Sequence, residues 1–404
     1  MKLLLLTPQL PYPPHQGTTI RNYNLVRRLA ERHEVHLLSF VLQAGEEQTA
    51  APLAEACRSL CTVVAPQRST RRRLASLLTS RLPDMALRLP STEFHAELRV
   101  ALEREDFDVV QVEGIEMAQY GLAWRRPDRR PLWVFDDHNA EYVLQRRAFE
   151  TDVRRPRRWP AAAYSWIQWR RLTAYERLAC HQMDRVVVCS EADRAALQSI
   201  MPGLVATIIP NGVDSAYFRS DAARGEPSLP LHSLAFTGKM DFRPNIDAVV
   251  WFVREVWPAI RAQVPDARFY IVGQKPHLRV AALADEPGVT VTGAVDDVRP
   301  YIAGAAVYVV PLRIGGGTRL KILEAMAMGR PLVSTTIGCE GFPLTSGRQL
   351  VMADRPADFA AACVDLLRDP EKGAALGREG RQFVECQYDW ASIVPLFDRV
   401  YEPR

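Results

Sequence analysis

The chain has 404 residues, of which 48% are hydrophobic, and this length favours two domains of about 150 to 200 residues over a single core. Its formal net charge is only +4, and the basic excess lies in the first half. No stretch approaches the roughly 20 apolar residues that a spanning helix needs, which excludes an integral membrane protein. The apolar run Leu3–Leu6 is shorter than a signal-peptide core and is followed by prolines, so we expect a cytoplasmic protein.

Strands and helices alternate through the first half of the chain. KLLLLTPQ predicts a strand, PYPPHQGTT a loop, and IRNYNLVRRLAERHE a helix, because its apolar residues recur at helical spacing. Further strands are predicted at VHLLSFV, FDVVQVEG, PLWVFDDH and DRVVVCS. Such alternation, with strands that are almost wholly apolar, is typical of a parallel doubly wound sheet.

The pattern starts again after a polar segment near residues 205–230. Strands are predicted at SLAFTGKM, ARFYIVGQ, GVTVTGAV, AAVYVVPL and RPLVSTT, with helices at NIDAVVWFVREVWPAIRAQ, DVRPYIAG, TRLKILEAMAM and ADFAAACVDLLRD. We therefore predict an α/β protein with Rossmann-like domains at residues 1–205 and 206–385, and a C-terminal helix in residues 386–404 that packs back on the first domain. Since ligands bind beyond the carboxyl ends of such strands, we expect the two domains to face each other across a cleft that holds the site.

Seven cysteines are scattered along the chain, and an odd, scattered set favours reduced thiols over a disulfide framework. Cys57 and Cys61 are four residues apart, but no second Cys or His pair completes a zinc site. We therefore expect no structural metal.

Three consecutive glycines, Gly315, Gly316 and Gly317, follow a predicted strand and precede a predicted helix. Backbone N–H groups in such a turn can point at one place, and the start of the helix adds free N–H groups and a positive dipole end. This combination predicts an anion site suited to a diphosphate, with Arg319 and Lys321 adding charge at its rim. The alternative is a plain loop without a ligand.

Glu324 lies about one helical turn further along the same predicted helix. A carboxylate there cannot help to bind phosphates, but it can accept hydrogen bonds from both hydroxyls of a ribose. The alternative is an exposed glutamate paired with Lys321.

The repeated pattern and the order of several motifs resemble the family-4 retaining glycosyltransferases of the GT-B fold over essentially the full chain. The motifs that carry this resemblance are PYPPHQGTTIRNYNLVRRLAERHEV, DDHNAE, VVVCSEADRAAL, IIPNGVD, FTGKMDFRPNIDAV, FYIVGQ, TGAVDDVRPYIAGA and GGGTRLKILEAMAMGRPLVST. The last of these, with MDFRPN, looks most like the sugar transferases associated with exosortase and exopolysaccharide systems. The resemblance implies an acceptor-side N-terminal domain and a C-terminal domain that binds a nucleotide-sugar donor.

Several donor-binding positions follow from the resemblance alone. Glu324 matches the second of two family glutamates, the one that holds the donor ribose, whereas the first glutamate is replaced by Gly316. Backbone amides from Gly316 to Thr318 would then hold phosphate or sugar hydroxyls. Lys239, directly after Gly238, matches the basic residue that faces the diphosphate, and Arg243 is our substitute for the companion lysine that this chain lacks.

The remaining implied positions lie at other turns. Gly17 matches the glycine whose N–H approaches the phosphate from the first domain, and Val295 matches the position where the backbone contacts the base. His138 resembles the active-site histidine next to the transferred sugar, although a solvated loop residue is the alternative. The NGVD segment, Asn211–Asp214, matches a hinge.

The resemblance further implies a metal-independent hexosyltransferase that retains the anomeric configuration and needs no cofactor beyond its nucleoside-diphosphate-sugar donor. Fixed N–H groups with Lys239 and Arg319 would stabilise the negative charge that grows on the leaving diphosphate. A metal-dependent transferase would want an Asp-x-Asp pair; Asp106 and Asp108 fit that string but precede a strand instead of following one.

The acceptor side is predicted from basic and aromatic residues. RSTRRRLASLLTSRLP and RRPRRWPAAAYSWIQWRRL combine arginines with Trp159, Trp166 and Trp169, a mixture suited to an anionic membrane surface and a sugar or lipid-linked acceptor at its inner face. The alternative is an arginine-rich helix that faces solvent without a partner. We expect no nucleic-acid partner.

Three other classes were weighed. A nucleotide-sugar epimerase of the same fold would need additional acid and base carboxylates and would need no acceptor. A non-catalytic sugar-binding protein would be expected to carry an export signal. A dehydrogenase would show Gly-x-Gly-x-x-Gly after its first strand, where this chain has a single glycine, Gly17. We therefore favour a transferase.

Overall fold

The computed structural model describes residues 1–125, 130–221, 227–315 and 318–402. The chain divides into two compact units, Met1–Pro210 together with Ile393–Arg404, and Asn211–Ser392. Each unit is built on one parallel sheet, so the predicted α/β class and the two Rossmann-like domains are confirmed.

The first unit contains a seven-stranded sheet in the order β3-β2-β1-β4-β5-β6-β7, with every pairing parallel. Its strands are β1 (Lys2–Thr7), β2 (Glu34–Val41), β3 (Ser59–Val64), β4 (Val109–Glu113), β5 (Leu132–Asp137), β6 (Arg185–Val188) and β7 (Ala206–Ile208). The central strands β1 and β4 are buried almost throughout, because helices cover both faces.

The helices of the first unit alternate with these strands. They are α1 (Gly17–Ala30), α2 (Ala51–Ala56), α3 (Thr70–Thr79), α4 (Thr92–Arg104), α5 (Ala118–Trp124), α6 (Glu141–Asp152), α7 (Trp159–Gln182) and α8 (Glu191–Ile200). Two short 3-10 turns, Glu46–Thr49 and Pro156–Arg158, complete the order.

The second unit contains a six-stranded sheet in the order β10-β9-β8-β11-β12-β13. Its strands are β8 (Ser233–Thr237), β9 (Arg268–Val272), β10 (Val289–Gly293), β11 (Val307–Val310), β12 (Leu332–Ser334) and β13 (Val351–Met352). Its helices are α9 (Arg243–Trp251), α10 (Trp257–Gln263), α11 (Leu278–Ala281), α12 (Arg299–Gly304), α13 (Leu320–Ala327), α14 (Pro356–Arg368), α15 (Pro370–Gln387) and α16 (Trp390–Ile393), with a 3-10 turn at Ala282–Asp285.

The last helix, α17 (Leu396–Tyr401), belongs to the first unit. The unit boundary lies at 210/211 instead of the predicted 205/206, because β7 pairs with β6 in the first sheet. The chain returns to the first unit at residue 393 instead of 386, since α15 continues to Gln387 and Val213 bridges Asp389 within the second unit.

Some elements differ from the sequence pattern. Strands β3 and β13 lie at the edges of their sheets, where partial exposure blurs the apolar run by which a buried strand is recognised. The long helix predicted after Pro244 instead consists of α9, a π-helical stretch at Phe252–Val256, and α10. Among the described helices, none combines the length and apolarity that crossing a membrane requires.

Candidate donor and sugar site

Three neighbouring strands of the second sheet end in glycine or lead directly into it. Gly238 follows β8, Gly273 follows β9, and Gly293 ends β10. The backbones approach closely here, because the Gly238 N–H donates to the Val272 carbonyl at 3.0 Å and the Gly273 N–H donates to the Gly293 carbonyl at 3.1 Å. A Cβ at Gly273 would lie 1.7 Å from the Gly238 carbonyl oxygen. Only glycine therefore permits this approach of the backbones at the carboxyl edge of the sheet.

Lys321, in the first turn of α13, reaches this glycine edge. Its Nζ donates to the Thr237 carbonyl at 2.8 Å and to Asn245 Oδ1 at 3.1 Å, and it lies 3.9 Å from the centroid of the Phe236 ring. A Cβ at Gly238 would lie 2.9 Å from the same Nζ. The ammonium group is thus beside the glycine edge instead of at the outer rim, where the sequence analysis expected it.

Burial controls the charge of Lys321. The pKa of its ammonium is lowered to about 7, mainly by loss of hydration; the Glu324 carboxylate opposes this shift, and the Arg319 guanidinium adds to it. A lysine with this pKa is half charged near neutral pH. An anion placed next to Nζ would restore the full charge.

Asn245 connects the two helices that meet at this point. Its side chain is 7% exposed, its Nδ2 donates to the Lys239 carbonyl at 2.9 Å, and its Oδ1 accepts from Lys321. The residue lies in the first turn of α9, so its amide ties α9 and the Gly238 turn to α13. Asn245 was not among the predicted site residues, and a lone asparagine near a helix start carries no specific signal, because asparagine is common there as a capping residue.

The two basic residues proposed on the α9 side are more exposed. Lys239 has half of its side chain exposed, and its Nζ lies 3.8 Å from Asp241 Oδ1. Arg243 is exposed at the first position of α9. The ammonium beside Gly238 is therefore that of Lys321, which makes Lys321 a better candidate than Arg243 for the missing companion lysine.

Glu324 lies one turn after Lys321 on α13 and is partly buried. Burial raises the pKa of its carboxyl group to about 7, and the Lys321 charge opposes the rise. Behind it, Tyr308 Oη and Thr237 Oγ1 form a buried hydrogen bond of 2.6 Å. A carboxyl group with this pKa is about half ionised near neutral pH, and a hydrogen-bond donor placed beside it would favour the ionised form.

The glycine segment before α13 is described only at its ends. Gly315 has φ +126°, and a Cβ there would lie 2.8 Å from Arg319 Nη2, so the guanidinium group packs against this turn. Thr318 Oγ1 accepts a hydrogen bond from Asn211 Nδ2 at 3.2 Å. Gly316 and Gly317 lie outside the described residues.

The two remaining donor-binding candidates lie in separate units. Val295 is half-buried in the loop after β10. Gly17 is exposed at the first position of α1, and a Cβ there would meet nothing within 4 Å. Space alone would therefore admit a larger residue at Gly17.

In the first unit, His138 directly follows β5 and meets a carboxylate from β4. Its Nε2 lies 2.8 Å from Glu113 Oε2, and the two side chains are 12% and 0% exposed. Parallel pairing of Glu113 with Asp136 brings these strand ends together. Glu113 was not among the predicted site residues, although the polar end of FDVVQVEG, aligned with the end of PLWVFDDH, was a usable signal.

Arg21 of α1 neutralises the negative charge of Asp136. Arg21 donates to both of its carboxylate oxygens, with contacts of 2.8 and 3.0 Å, and also to the carbonyls of Ile209 and Pro210 at 3.2 Å. Both charged side chains are at most 1% exposed. Through these contacts Arg21 fixes α1 to β5 and to the segment that follows β7.

Glu113, Asp136 and His138 offer ligand atoms within 4.8 Å of one another, the arrangement of a small metal site. The Arg21 guanidinium already occupies the Asp136 carboxylate, and its positive charge opposes a cation. The donor set therefore fits a salt-bridge network better than a metal. The Asp-x-Asp pair, Asp106 and Asp108, lies before β4. Asp108 Oδ2 accepts a hydrogen bond from the Lys2 N–H at 2.9 Å, and its Oδ1 accepts one from Arg130 Nη1 at 2.9 Å.

Comparisons with known proteins match both halves of the chain. The model described as Glycosyltransferase Family 4 matches residues 16–217, and the model described as Glycosyl transferases group 1 matches residues 232–369. A GDP-mannose-dependent alpha-(1-6)-phosphatidylinositol monomannoside mannosyltransferase of Mycobacterium tuberculosis is 31% identical over 234 residues, which cover 52% of this chain and 59% of that protein. The glycogen synthase of the same organism is 26% identical over 268 residues, 62% of this chain and 61% of that protein. The matches thus span about three fifths of these relatives' length.

Solved structures match over nearly the whole chain. Sucrose-phosphate synthase from Thermosynechococcus elongatus has a TM-score of 0.72 at 19% identity, covering 99% of this chain and 98% of that one. Anabaena HepE in complex with UDP-glucose has a TM-score of 0.66 at 14% identity, covering 98% of both chains. At these identities the likeness concerns the fold, whereas the family model for residues 16–217 covers half of the chain. The chain belongs to the family-4, group 1 glycosyltransferases and has the GT-B fold.

Proposed function

We propose that the protein is a metal-independent transferase that moves a hexosyl group from a nucleoside-diphosphate-sugar donor to an acceptor with retention of configuration. The observation that carries the proposal is the position of Lys321 beside Gly238, with Glu324 one turn further along the same helix. The ammonium group of Lys321 would bind the diphosphate, and the carboxyl group of Glu324 would bind the ribose that is joined to it.

The diphosphate half of this site would act on the leaving group. Cleavage of the sugar–phosphate bond leaves its electron pair on a phosphate oxygen, so negative charge grows there as the bond breaks. The ammonium groups of Lys321 and Lys239 would stabilise that charge. A phosphate oxygen would then accept the proton of the acceptor hydroxyl as that hydroxyl attacks from the same face.

The ribose half of the site would use Glu324. Ribose hydroxyls donate to a carboxylate, and such donation favours its charged form over the neutral form that burial favours. His138 of the first unit is proposed to contact the sugar that is transferred. The GDP-mannose dependence of the mycobacterial relative and the UDP-glucose complex of HepE support a nucleotide-sugar donor in general, and we leave the base and the sugar open.

The acceptor is proposed to be a lipid-linked or polysaccharide precursor at the inner face of a membrane, as in exopolysaccharide synthesis. Large apolar side chains are exposed on α3 and at the start of α7, including Leu78 at 92%, Trp159 at 60% and Trp166 at 50%. Exposed arginines accompany them: Arg71 and Arg72 lie on α3, and Arg157 lies in the 3-10 turn before α7. Exposed apolar side chains surrounded by basic residues are suited to peripheral contact with anionic lipid.

The donor site is tested by thermal stabilisation with nucleotide-sugars and their free diphosphates. A ligand that binds the folded state raises the melting temperature, and we expect this for at least one nucleotide-sugar with the wild type but not with Glu324→Ala or Lys321→Met. Lys372→Met, which removes an exposed lysine far along the chain, is the matched control and should respond as the wild type does. Stabilisation by nicotinamide cofactors, with none by any nucleotide-sugar, would reject the proposal.

The reaction itself is tested with the donor that stabilises best. NMR of the product should give the same anomeric configuration as the donor sugar, and the rate should be unchanged by EDTA. Conversion of the donor sugar to an epimer without acceptor would indicate an epimerase instead.

A further inference from the structure

A buried row of hydrogen bonds joins the last helix of the chain to His138. Tyr401, at the end of α17, donates its phenolic hydrogen to Gln111 Oε1. Gln111 Nε2 donates to Glu113 Oε1 at 2.6 Å, and Glu113 Oε2 lies 2.8 Å from His138 Nε2. Tyr401, Gln111 and Glu113 are 3%, 1% and 0% exposed. Water therefore has little access to these bonds, and each must be made by the protein itself.

The chemistry of the side chains fixes the direction of the row. An amide that donates from nitrogen to a carboxylate turns its oxygen toward the phenol, and that oxygen can only accept. Glu113 then receives one hydrogen bond from Gln111 and needs a second donor, which is the Nε2–H of His138. The carboxylate form of Glu113 satisfies all of these contacts at once.

Charge balance favours the protonated imidazole. The charged groups near His138 are Glu113 of β4, Asp136 of β5, Arg21 of α1 and Glu141 of α6, and the Glu116 carboxylate, which pairs with Arg88, lies beside the same Gly114 as the ring. Arg21 and Asp136 neutralise each other, and burial raises the pKa of Glu141 to about 7. Glu113 is the carboxyl group in direct contact with the ring, and a protonated His138 balances its negative charge.

The same effects act on the pKa of His138. Burial alone would lower it, but the hydrogen bond from Glu113 and the negative charges of Asp136 and Glu113 outweigh burial, so the pKa is raised above its ordinary value. Arg21 acts in the opposite direction. The pKa of Glu113 is raised by burial, and the His138 hydrogen bond and the Arg21 charge limit that rise.

The ring is also fixed on its other side. Gly114 has φ +80°, and a Cβ there would lie 3.7 Å from His138 Nδ1. The backbone after β4 therefore packs against the ring while the preceding residue holds Nε2. Nδ1 is the nitrogen that Glu113 leaves for other contacts.

We propose that Glu113 is a positioning residue that keeps His138 protonated and oriented through Nε2, and that Gln111 and Tyr401 extend this support to the last helix. For catalysis the inference rests on the proposed function, in which Nδ1–H of a charged imidazole donates to an oxygen of the donor sugar. A charged donor makes the stronger hydrogen bond. Residues 393–402 thus complete the site as well as the fold of the first unit.

The first test needs no substrate. The pKa of His138 is measured by NMR on the full chain labelled at histidine, with His138→Gln to assign the resonance. We expect a midpoint above the ordinary value of about 6.5 in the wild type, and a decrease of at least about one unit in Glu113→Gln, which preserves shape but removes the charge. Tyr401→Phe should lower the midpoint less, because only the last hydrogen bond is lost.

Asp137→Asn is the matched control. Asp137 is also a buried carboxyl group at the end of β5, and burial with nearby acidic groups raises its pKa. Its replacement should leave the His138 midpoint where it is in the wild type. An unchanged midpoint in both Glu113→Gln and Tyr401→Phe, or an equal decrease in Asp137→Asn, would overturn the inference.

The second test follows the transfer rate against pH. In the wild type kcat should decline as pH rises through the His138 midpoint, and in Glu113→Gln the decline should move to lower pH by the same amount, with KM for the donor little changed. A shifted NMR midpoint with no transfer of any sugar would reject the proposed function and leave the support of His138 intact. A shifted midpoint with an unmoved pH profile would overturn the catalytic part of the inference.

Discussion

Lys321 Nζ and Asn245 Oδ1 lie 3.1 Å apart, which links the first turns of two helices that are separated by three strands along the chain. Asn245 also donates to the Lys239 carbonyl. One amide group therefore contacts both Lys321 and the turn that carries the exposed Lys239. The predictions below follow from this relationship and from its counterpart in the first unit.

Removal of the Asn245 amide should weaken donor binding more than it weakens the fold. A hydrogen bond to a charged group contributes about 1.5 to 3 kcal/mol, so Asn245→Ala should raise the Kd for the stabilising nucleoside diphosphate roughly 10-fold or more. Titration calorimetry measures this change. Gln263→Ala removes an exposed amide of the same unit and should leave Kd unchanged; an equal loss in both variants would contradict the role of Asn245.

Binding of the diphosphate and ribose should move protons in opposite directions at the two titrating groups. Lys321 has a pKa of about 7 that an anion would raise, so it takes up protons, whereas hydroxyl donation would lower the pKa of about 7 at Glu324, so it releases them. Calorimetry at pH 7 in buffers of different ionisation enthalpy should show net uptake in Glu324→Gln and net release in Lys321→Arg, which keeps a positive charge that does not titrate near pH 7. No linkage in either variant would contradict the assignment.

The pH dependence of stability should carry the signature of Lys321. Its pKa is lowered on folding, so between about pH 7 and its unfolded value near 10.5 the unfolded chain binds more protons, and stability from this group rises with pH. Thermal unfolding from pH 7 to 9 should therefore favour wild type progressively over Lys321→Met. A constant difference across this range would indicate an ordinary exposed lysine.

Alanine substitution at the glycine edge should have different effects at Gly273 and at Gly238. A Cβ at Gly273 would lie 1.7 Å from a backbone oxygen, so Gly273→Ala should lower the melting temperature by several degrees or prevent folding. A Cβ at Gly238 would meet the side-chain ends of Asn245 and Lys321 at 2.8 and 2.9 Å, and the φ of +156° disfavours other residues, so Gly238→Ala should reduce donor affinity and lower the melting temperature less than Gly273→Ala does. Gly373→Ala, with ordinary contacts inside a helix, is the control and should lower neither quantity.

Membrane contact is tested by flotation with liposomes. Wild type should float with vesicles that contain anionic lipid but not with neutral ones, and Arg71, Arg72 and Arg157 changed together to Ser should abolish flotation. Arg73 is better left in place, because its Nη2 pairs with Asp84 at 3.0 Å. Exposed Arg254, Arg279 and Arg378 of the second unit, changed likewise to Ser, provide a control with the same loss of charge. Equal flotation of all three proteins would exclude this surface.

The fold could be predicted from the sequence because its signal is local. Each buried parallel strand is a short apolar run, and each covering helix has apolar spacing of its own, so the repeated alternation indicates both sheets without knowledge of any contact. Edge strands such as Ser59–Val64 carry a weaker pattern. The π-helical stretch at Phe252–Val256 retains helical spacing on either side and leaves no local signature.

The site could be predicted only where a single turn carries the signal. The glycine segment, Lys321, Glu324 and His138 belong to short motifs, whereas the supporting residues depend on contacts between distant segments. Tyr401 and Gln111 are 290 positions apart, and Lys321 and Asn245 are 76 apart. No spacing rule connects such pairs, so the position of Lys321 beside Gly238 and the support of His138 became visible only in three dimensions.

A crystal structure with a bound nucleoside diphosphate tests the central claim most directly. The account predicts that the diphosphate lies beside Gly238 with a phosphate oxygen within hydrogen-bond distance of Lys321 Nζ, and that the ribose hydroxyls donate to the Glu324 carboxylate. A diphosphate bound elsewhere, with Lys321 still hydrogen-bonded only to Thr237 and Asn245, would contradict it.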